Sequence, residues 1–236
     1  MANNRNEYHI PYSVRVFRWI FRPLFRILFY LISEVLITGL ENIPSDGAYI
    51  IAINHISIVE PPFVIAFWPI APEAVGAKEI WERKGQSLLA RFYGGIQVHR
   101  GEFDRRLIEQ MTGAVNSGHP LLIAPEGGRS HVPGMRAAYP GVAYLADVSD
   151  VPVLPVGIIG STDEFISQAF TFKRPKIEMK IGQPIKLPKI KGKGQHRRLE
   201  LQQNTNLIMQ TLAELLPSSY QGVYAFGKTD PTETSQ

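Results

Sequence analysis

His55 and Glu60 stand five residues apart on Asn54-His55-Ile56-Ser57-Ile58-Val59-Glu60, a segment that directly follows the apolar run Tyr49 to Ile53. An imidazole titrates near neutral pH and serves as a general base. A carboxylate beside it fixes the tautomer and stabilises the imidazolium, the logic of the Ser-His-Asp triad. On a turn leading into a helix, Glu60 would reach back to the His55 ring. Reactive groups of α/β sheets collect at the carboxyl ends of strands, and His55 occupies such a position. A His-carboxylate pair without an obligatory protein nucleophile suits direct activation of a substrate hydroxyl. The plainer alternative is a helix-capping Asn-His pair with a solvated glutamate.

A second group, Ala124-Pro125-Glu126-Gly127-Gly128-Arg129-Ser130, also follows an apolar run. Gly127 and Gly128 leave room for backbone to approach a ligand. Arg129 offers a planar fork suited to phosphate, or else pairs with Glu126 across a tight turn. Gly94-Gly95-Ile96-Gln97-Val98-His99-Arg100 is a glycine turn, a short strand and a cation. Val151-Pro152-Val153-Leu154-Pro155-Val156 reads as a rigid wall or edge, because its prolines disfavour a central strand.

Alternating elements must position these groups. Strands are expected at 35–38, 48–53, 96–98, 121–124, 151–159 and 176–181, with a turn at Pro44-Ser45-Asp46-Gly47. Helices are expected at 79–93, 103–116, 135–146 and 195–216. The alternation predicts an α/β fold with a largely covered sheet. Residues 35–216 form the main domain, preceded by a segment 1–34 and followed by a polar tail 217–236, in which Tyr220, Val223, Tyr224 and Phe226 are candidates for docking.

The segment Tyr8 to Ile32 is dense in aromatics, and Arg15, Arg18, Arg22 and Arg26 are three, four and four residues apart. On a helix they form one stripe, with Val16, Trp19, Ile20, Phe21, Leu24, Phe25 and Leu28 on other faces. A basic stripe against an aromatic face predicts a helix lying in a bilayer interface, kinked or split at Pro23. The alternative is a helix packed on the protein's own core with its arginines in water. No run reaches the ~20 apolar residues of a spanning helix.

Composition narrows the classes. The chain has 236 residues, 44% hydrophobic, with net charge +4, enough for one large domain. It has no cysteine, so a thiolate nucleophile, a disulfide scaffold and a cysteine metal site are excluded. The six histidines lack ligand spacing. Basic residues gather with aromatics on an amphipathic segment and no nucleic-acid motif appears, so nucleic acid is disfavoured as a partner. Lys186, Lys189, Lys191 and Lys193 form a basic loop, solvated by default and otherwise a contact for anionic lipid or an acidic carrier protein.

In order and spacing the four groups resemble the blocks of the glycerolipid acyltransferase family, the 1-acylglycerol-3-phosphate acyltransferases and their relatives. That family carries Asn-His-x-Ser-x-x-Asp, Gly-x-x-x-x-x-Arg, Pro-Glu-Gly-Thr-Arg-Ser and Val-Pro-x-x-Pro. The matching residues are Asn54, His55 and Ser57; Gly94 and Arg100; Pro125, Glu126, Gly127, Arg129 and Ser130; and Val151, Pro152 and Pro155. Glu60 stands where the family has aspartate, and Gly128 where it has threonine. The resemblance implies a single mixed sheet flanked by helices, like that of glycerol-3-phosphate acyltransferase. It implies acyl transfer from acyl-CoA or acyl carrier protein to a lysophospholipid hydroxyl in phospholipid biosynthesis. His55 would be the base and Glu60 its orienting partner. Arg129, with Lys78 or Arg100, would hold an acceptor phosphate, while Glu126, Gly127 and Gly128 complete the binding loop. The acyl carrier is a substrate, and no bound cofactor or metal is implied. The expected location is the cytoplasmic face of the cell membrane, peripheral or monotopic. A non-catalytic lipid-binding relative and a thioester hydrolase are the alternatives; retained Arg129 and Glu126 argue against the hydrolase.

Overall fold

The structure, a computed structural model, describes residues 8–45, 48–99 and 104–225. Seven strands form one sheet in the order β1-β7-β6-β2-β5-β3-β4. They are β1 (Glu34–Thr38), β2 (Ile50–Ile53), β3 (Glu73–Ala77), β4 (Ile96–Val98), β5 (Leu121–Ile123), β6 (Val153–Ile159) and β7 (Lys176–Ile181). All neighbours are parallel except β6 and β7, so the sheet is mixed, as expected.

Central strands bury both faces, which is why they read as continuous apolar runs. In β2, Ile51 and Ile53 face one core and Ile50 and Ala52 the other. The first core is closed by α1 (Tyr12–Ile32), α2 (Glu60–Phe67) and α6 (Asp163–Phe170); α3 (Gln86–Tyr93) packs against α1. The second is closed by α4 (Arg105–Asn116), α5 (Gly141–Ser149) and α7 (Gly194–Glu214).

Several expectations are corrected. The helix expected at 79–93 is a 3-10 turn, Lys78–Glu82, followed by α3, because Gly85 takes φ 85° between them. The helix expected at 135–146 starts only at Gly141, after Pro140. β6 is central rather than an edge, despite its prolines. The β6–β7 ladder ends at Val156–Ile181 and resumes as an isolated bridge at Val153–Ile185. Pro155 falls in that gap, so its missing N–H costs no ladder bond.

Helix α1 runs through Pro23 without a break. Phe21 and Phe29 are buried on either side of it, and this packing holds both halves in line. Of its arginine stripe Arg15 and Arg26 are exposed, Arg22 is half-buried and Arg18 is buried. Arg18, Arg22 and Arg26 nevertheless all hydrogen-bond to the protein itself. Arg18 is buried and its two Nη atoms donate to Glu73 at 2.5 and 2.7 Å. Its guanidinium also stacks 4.5 Å from the Tyr93 ring centroid. Arg22 donates to the carbonyls of Ile65, Trp68 and Pro69, and Arg26 to that of Ala66. The last carbonyls of a helix lack intrahelical partners, so Arg22 and Arg26 cap α2 from outside. The apolar residues Trp19, Ile20, Leu24, Ile27 and Leu31 are consequently left exposed. Among the described residues no helix is long and apolar enough to cross a membrane.

Residues 218–225 dock as a short helix, α8 (Ser218–Gln221), and a 3-10 turn. The hydroxyls of Tyr220 and Tyr224 accept from the amides of Gly160 and Ala138. Phe226 lies outside the described residues.

Candidate active site

The site forms where β2 and β5 end. Asn54, buried just past β2, acts as an extra rung of the ladder. Its Nδ2 donates to the Ile158 carbonyl at 2.9 Å and its Oδ1 accepts from the Ile158 amide at 2.7 Å. A side-chain amide thus replaces a peptide at the point where the chain must leave the sheet, and His55 projects from that exit.

Glu60 is the first residue of α2 and is fully buried. Its Oε2 lies 3.1 Å from His55 Nδ1. Its carboxylate also accepts from the amides of Ile56 at 3.2 Å and Ser57 at 2.9 Å, and from Ser161 Oγ at 2.5 Å. Pro61 and Pro62 bring no N–H to this crowded helix start. The loop 55–60 therefore wraps around one carboxylate, which in turn holds the imidazole.

The loop after β5 is fastened to the same place. Ser130 N donates to the His55 carbonyl at 2.8 Å, and His131 N to the Ile56 carbonyl at 3.1 Å. Buried Glu126 bridges both loops, accepting from His55 N at 3.0 Å and Arg136 N at 2.7 Å. Burial pushes the Glu126 carboxyl above its ordinary range, and the two amides pull it partly back. Gly127 has φ 65°, a conformation that favours glycine, and a Cβ there would also have to displace the exposed Tyr139 ring, 2.9 Å away. The carbonyl of Arg129 accepts from Arg136 Nη1 at 3.1 Å, which ties the two arginines together at the rim of the loop.

His55, Gly127, Gly128, Arg129 and Arg136 border one cavity of about 1230 Å³, larger than the roughly 300–1,000 Å³ of ordinary small-ligand pockets. Behind His55 its walls are apolar, built from α1, α3, α6 and the sheet, with Trp81 among them. Of the remaining sequence candidates, Lys78 follows β3, and its neighbours Ala77 and Glu79 line the cavity. Arg100 lies outside the described residues. Gly94 ends α3 at φ 75°, with room for a Cβ limited by Val14 at 3.0 Å, so its place in the structure is that of a helix stop. Trp68 is a packing residue, buried and bonded through Nε1 to Tyr49 at 2.9 Å. Lys186 and Lys189 flank Asp150 at the amino end of β6, the opposite end of the sheet from His55.

Two residues of the site carry no sequence motif. Ser161 follows β6 and was open to the same carboxyl-end rule that singles out His55. Arg136 is brought in by the fold of loop 130–138 alone. Among the described residues no cluster of His, Asp and Glu has metal-binding geometry.

A family model described as Acyltransferase matches residues 34–159, a span that contains His55, Glu60, Glu126 and Arg129. The chain is also similar to the crystal structure of the 1-acyl-sn-glycerophosphate (LPA) acyltransferase PlsC from Thermotoga maritima. Identity is 22% over 83% of this chain and 79% of that one, with a TM-score of 0.56. The second likeness is one of fold. The first covers more than half of the sequence, and this chain therefore belongs to the acyltransferase family.

Proposed function

We propose that the enzyme transfers a fatty acyl group from acyl-CoA or acyl carrier protein to the hydroxyl of a lysophospholipid such as 1-acylglycerol-3-phosphate. The observation that carries this reading is the His55–Glu60 pair at 3.1 Å, set at the edge of a large apolar cavity beside Arg129. With Nδ1–H donated to Glu60, the Nε2 of His55 is the acceptor nitrogen. It takes the proton of the acceptor hydroxyl as that oxygen attacks the thioester carbonyl. The tetrahedral intermediate collapses with loss of the thiolate, which receives the proton from the imidazolium. One ester bond forms, one thioester bond breaks, and His55 ends neutral.

Arg129 and Arg136 supply a cationic wall for the acceptor phosphate, with Lys78 and Arg100 as further candidates. The apolar cavity suits an acyl chain. The acceptor assignment draws on the likeness to the Thermotoga maritima LPA acyltransferase. The exposed apolar side of α1 suits the surface of a bilayer, consistent with a peripheral or monotopic enzyme at the cytoplasmic face of the cell membrane. Purified protein, labelled acyl-CoA and a panel of lysolipids test the reading. Transfer to a phosphate-bearing lysolipid is expected; absence of transfer to every acceptor would mark a non-catalytic lipid-binding relative.

A further inference from the structure

We propose that the turn Phe170-Thr171-Phe172-Lys173-Arg174 is a second membrane-insertion element, docking on an anionic bilayer beside α1 where the apolar cavity opens. This rests on the reading of the protein as an enzyme of lipid substrates and adds a surface to it.

Four observations converge on this turn. Phe170 and Phe172 are 81% and 79% exposed, as exposed as Trp19 of α1 at 78%. Phe172 has φ 55° in the left-handed region at the end of α6. Its amide and that of Lys173 donate to Ala169 and Gln168, so the backbone closes the helix in the manner normally given to glycine. A bulky side chain there is uncommon. Phenylalanine is thus kept where glycine fits the backbone better and where the ring lies in water. An outlier of this kind points to function.

The turn is also joined to α1. Arg174 Nη2 donates to the carbonyls of Tyr30 at 3.0 Å and Ser33 at 3.3 Å, filling the open end of that helix. Leu28, Leu31, Phe170 and Phe172 line the cavity that His55 borders, so the rings and the exposed side of α1 surround one opening. Finally, Lys173 is exposed directly after Phe172, and Lys176 follows, about half exposed. Aromatic rings flanked by lysine match the acyl boundary and anionic headgroups of a bilayer. A docked bilayer would let a chain pass into the cavity without crossing water.

Vesicle flotation of the full chain, without substrate, tests this. Wild type, Phe170→Ser/Phe172→Ser and Phe172→Gly are compared on phosphatidylcholine vesicles with and without phosphatidylglycerol. The double variant should bind at least about tenfold more weakly, the order expected from losing one or two buried rings. Phe172→Gly should melt at a higher temperature than wild type and still bind more weakly, a combination that damage to the fold does not produce. Lys173→Glu should weaken binding only where phosphatidylglycerol is present. Unchanged binding of both phenylalanine variants would overturn the proposal. So would a wild type that self-associates and becomes monomeric in the double variant, since the occupant would then be a second copy of this chain. Because binding is read without turnover, a failure of acyl transfer leaves this result standing.

Discussion

Glu60 holds His55 from below: its Oε2 lies 3.1 Å from Nδ1, while its other contacts, with Ser57 N and Ser161 Oγ, leave it no freedom to turn. The position carries aspartate in the family pattern, and the longer side chain fits here because loop 55–60 is wound around the glutamate. Glu60→Asp should therefore lower acyl transfer, since a shift of ~1 Å in such a group costs about a hundredfold. Glu60→Gln should cost less than His55→Ala, because an amide oxygen can still accept from Nδ1. Steady-state rates of the variants decide this. A faster Glu60→Asp enzyme would show that the loop prefers the shorter acid.

Arg18 and Glu73 form a bidentate pair that is almost fully buried, with Tyr8 OH donating to the same carboxylate at 2.7 Å. Removing one partner leaves a buried charge alone, at a cost of about 3–5 kcal/mol. Arg18→Met and Glu73→Leu should each destabilise by about that amount in urea unfolding, and the double variant should be less destabilised than either alone. If the losses simply add, the pair is not coupled and the packing of α1 rests on its aromatic residues.

Glu126 makes stability depend on pH. Its folded-state pKa is raised above the ordinary 4.5, chiefly by burial, so the native protein keeps this proton to higher pH than the unfolded chain. The stabilisation from Glu126 is complete below the ordinary value and fades as pH climbs through the raised one. Glu126→Gln should cost about 1–3 kcal/mol through the lost acceptor, and the penalty should shrink as pH rises. Unfolding of both proteins across the acid range measures it. A penalty that grows with pH would mean that the amides of His55 and Arg136 outweigh burial.

The candidate site residues were legible because their types are rare and their positions follow apolar runs. Glu60 reaches back to the His55 ring as the spacing suggested, Glu126 accepts from the His55 amide, and His55 and Arg129 border one cavity. What sequence could not convey was orientation. The periodicity of Arg15, Arg18, Arg22 and Arg26 marks a stripe, and nothing in it tells whether the stripe faces water or the carbonyls of α2. Pro155 argued against a central strand, since its harmless place in the β6–β7 gap exists only in the folded sheet. Ser161 and Arg136 were missed because each reaches the site through tertiary pairing, one across the sheet and one by the course of a loop. Glu73–Ala77 was not foreseen as a strand, being short and headed by an acid whose partner lies 55 residues away.

The central claim is that His55 Nε2 removes the proton of the acceptor hydroxyl, and the most direct measurement is single-turnover acyl transfer by His55→Ala with labelled acyl-CoA and lysophosphatidic acid. A lost general base lowers the rate by about a hundred- to ten-thousandfold, and a fall of that size is expected with vesicle binding and cooperative unfolding retained. A His55→Ala enzyme that transfers acyl groups at the wild-type rate would contradict the account.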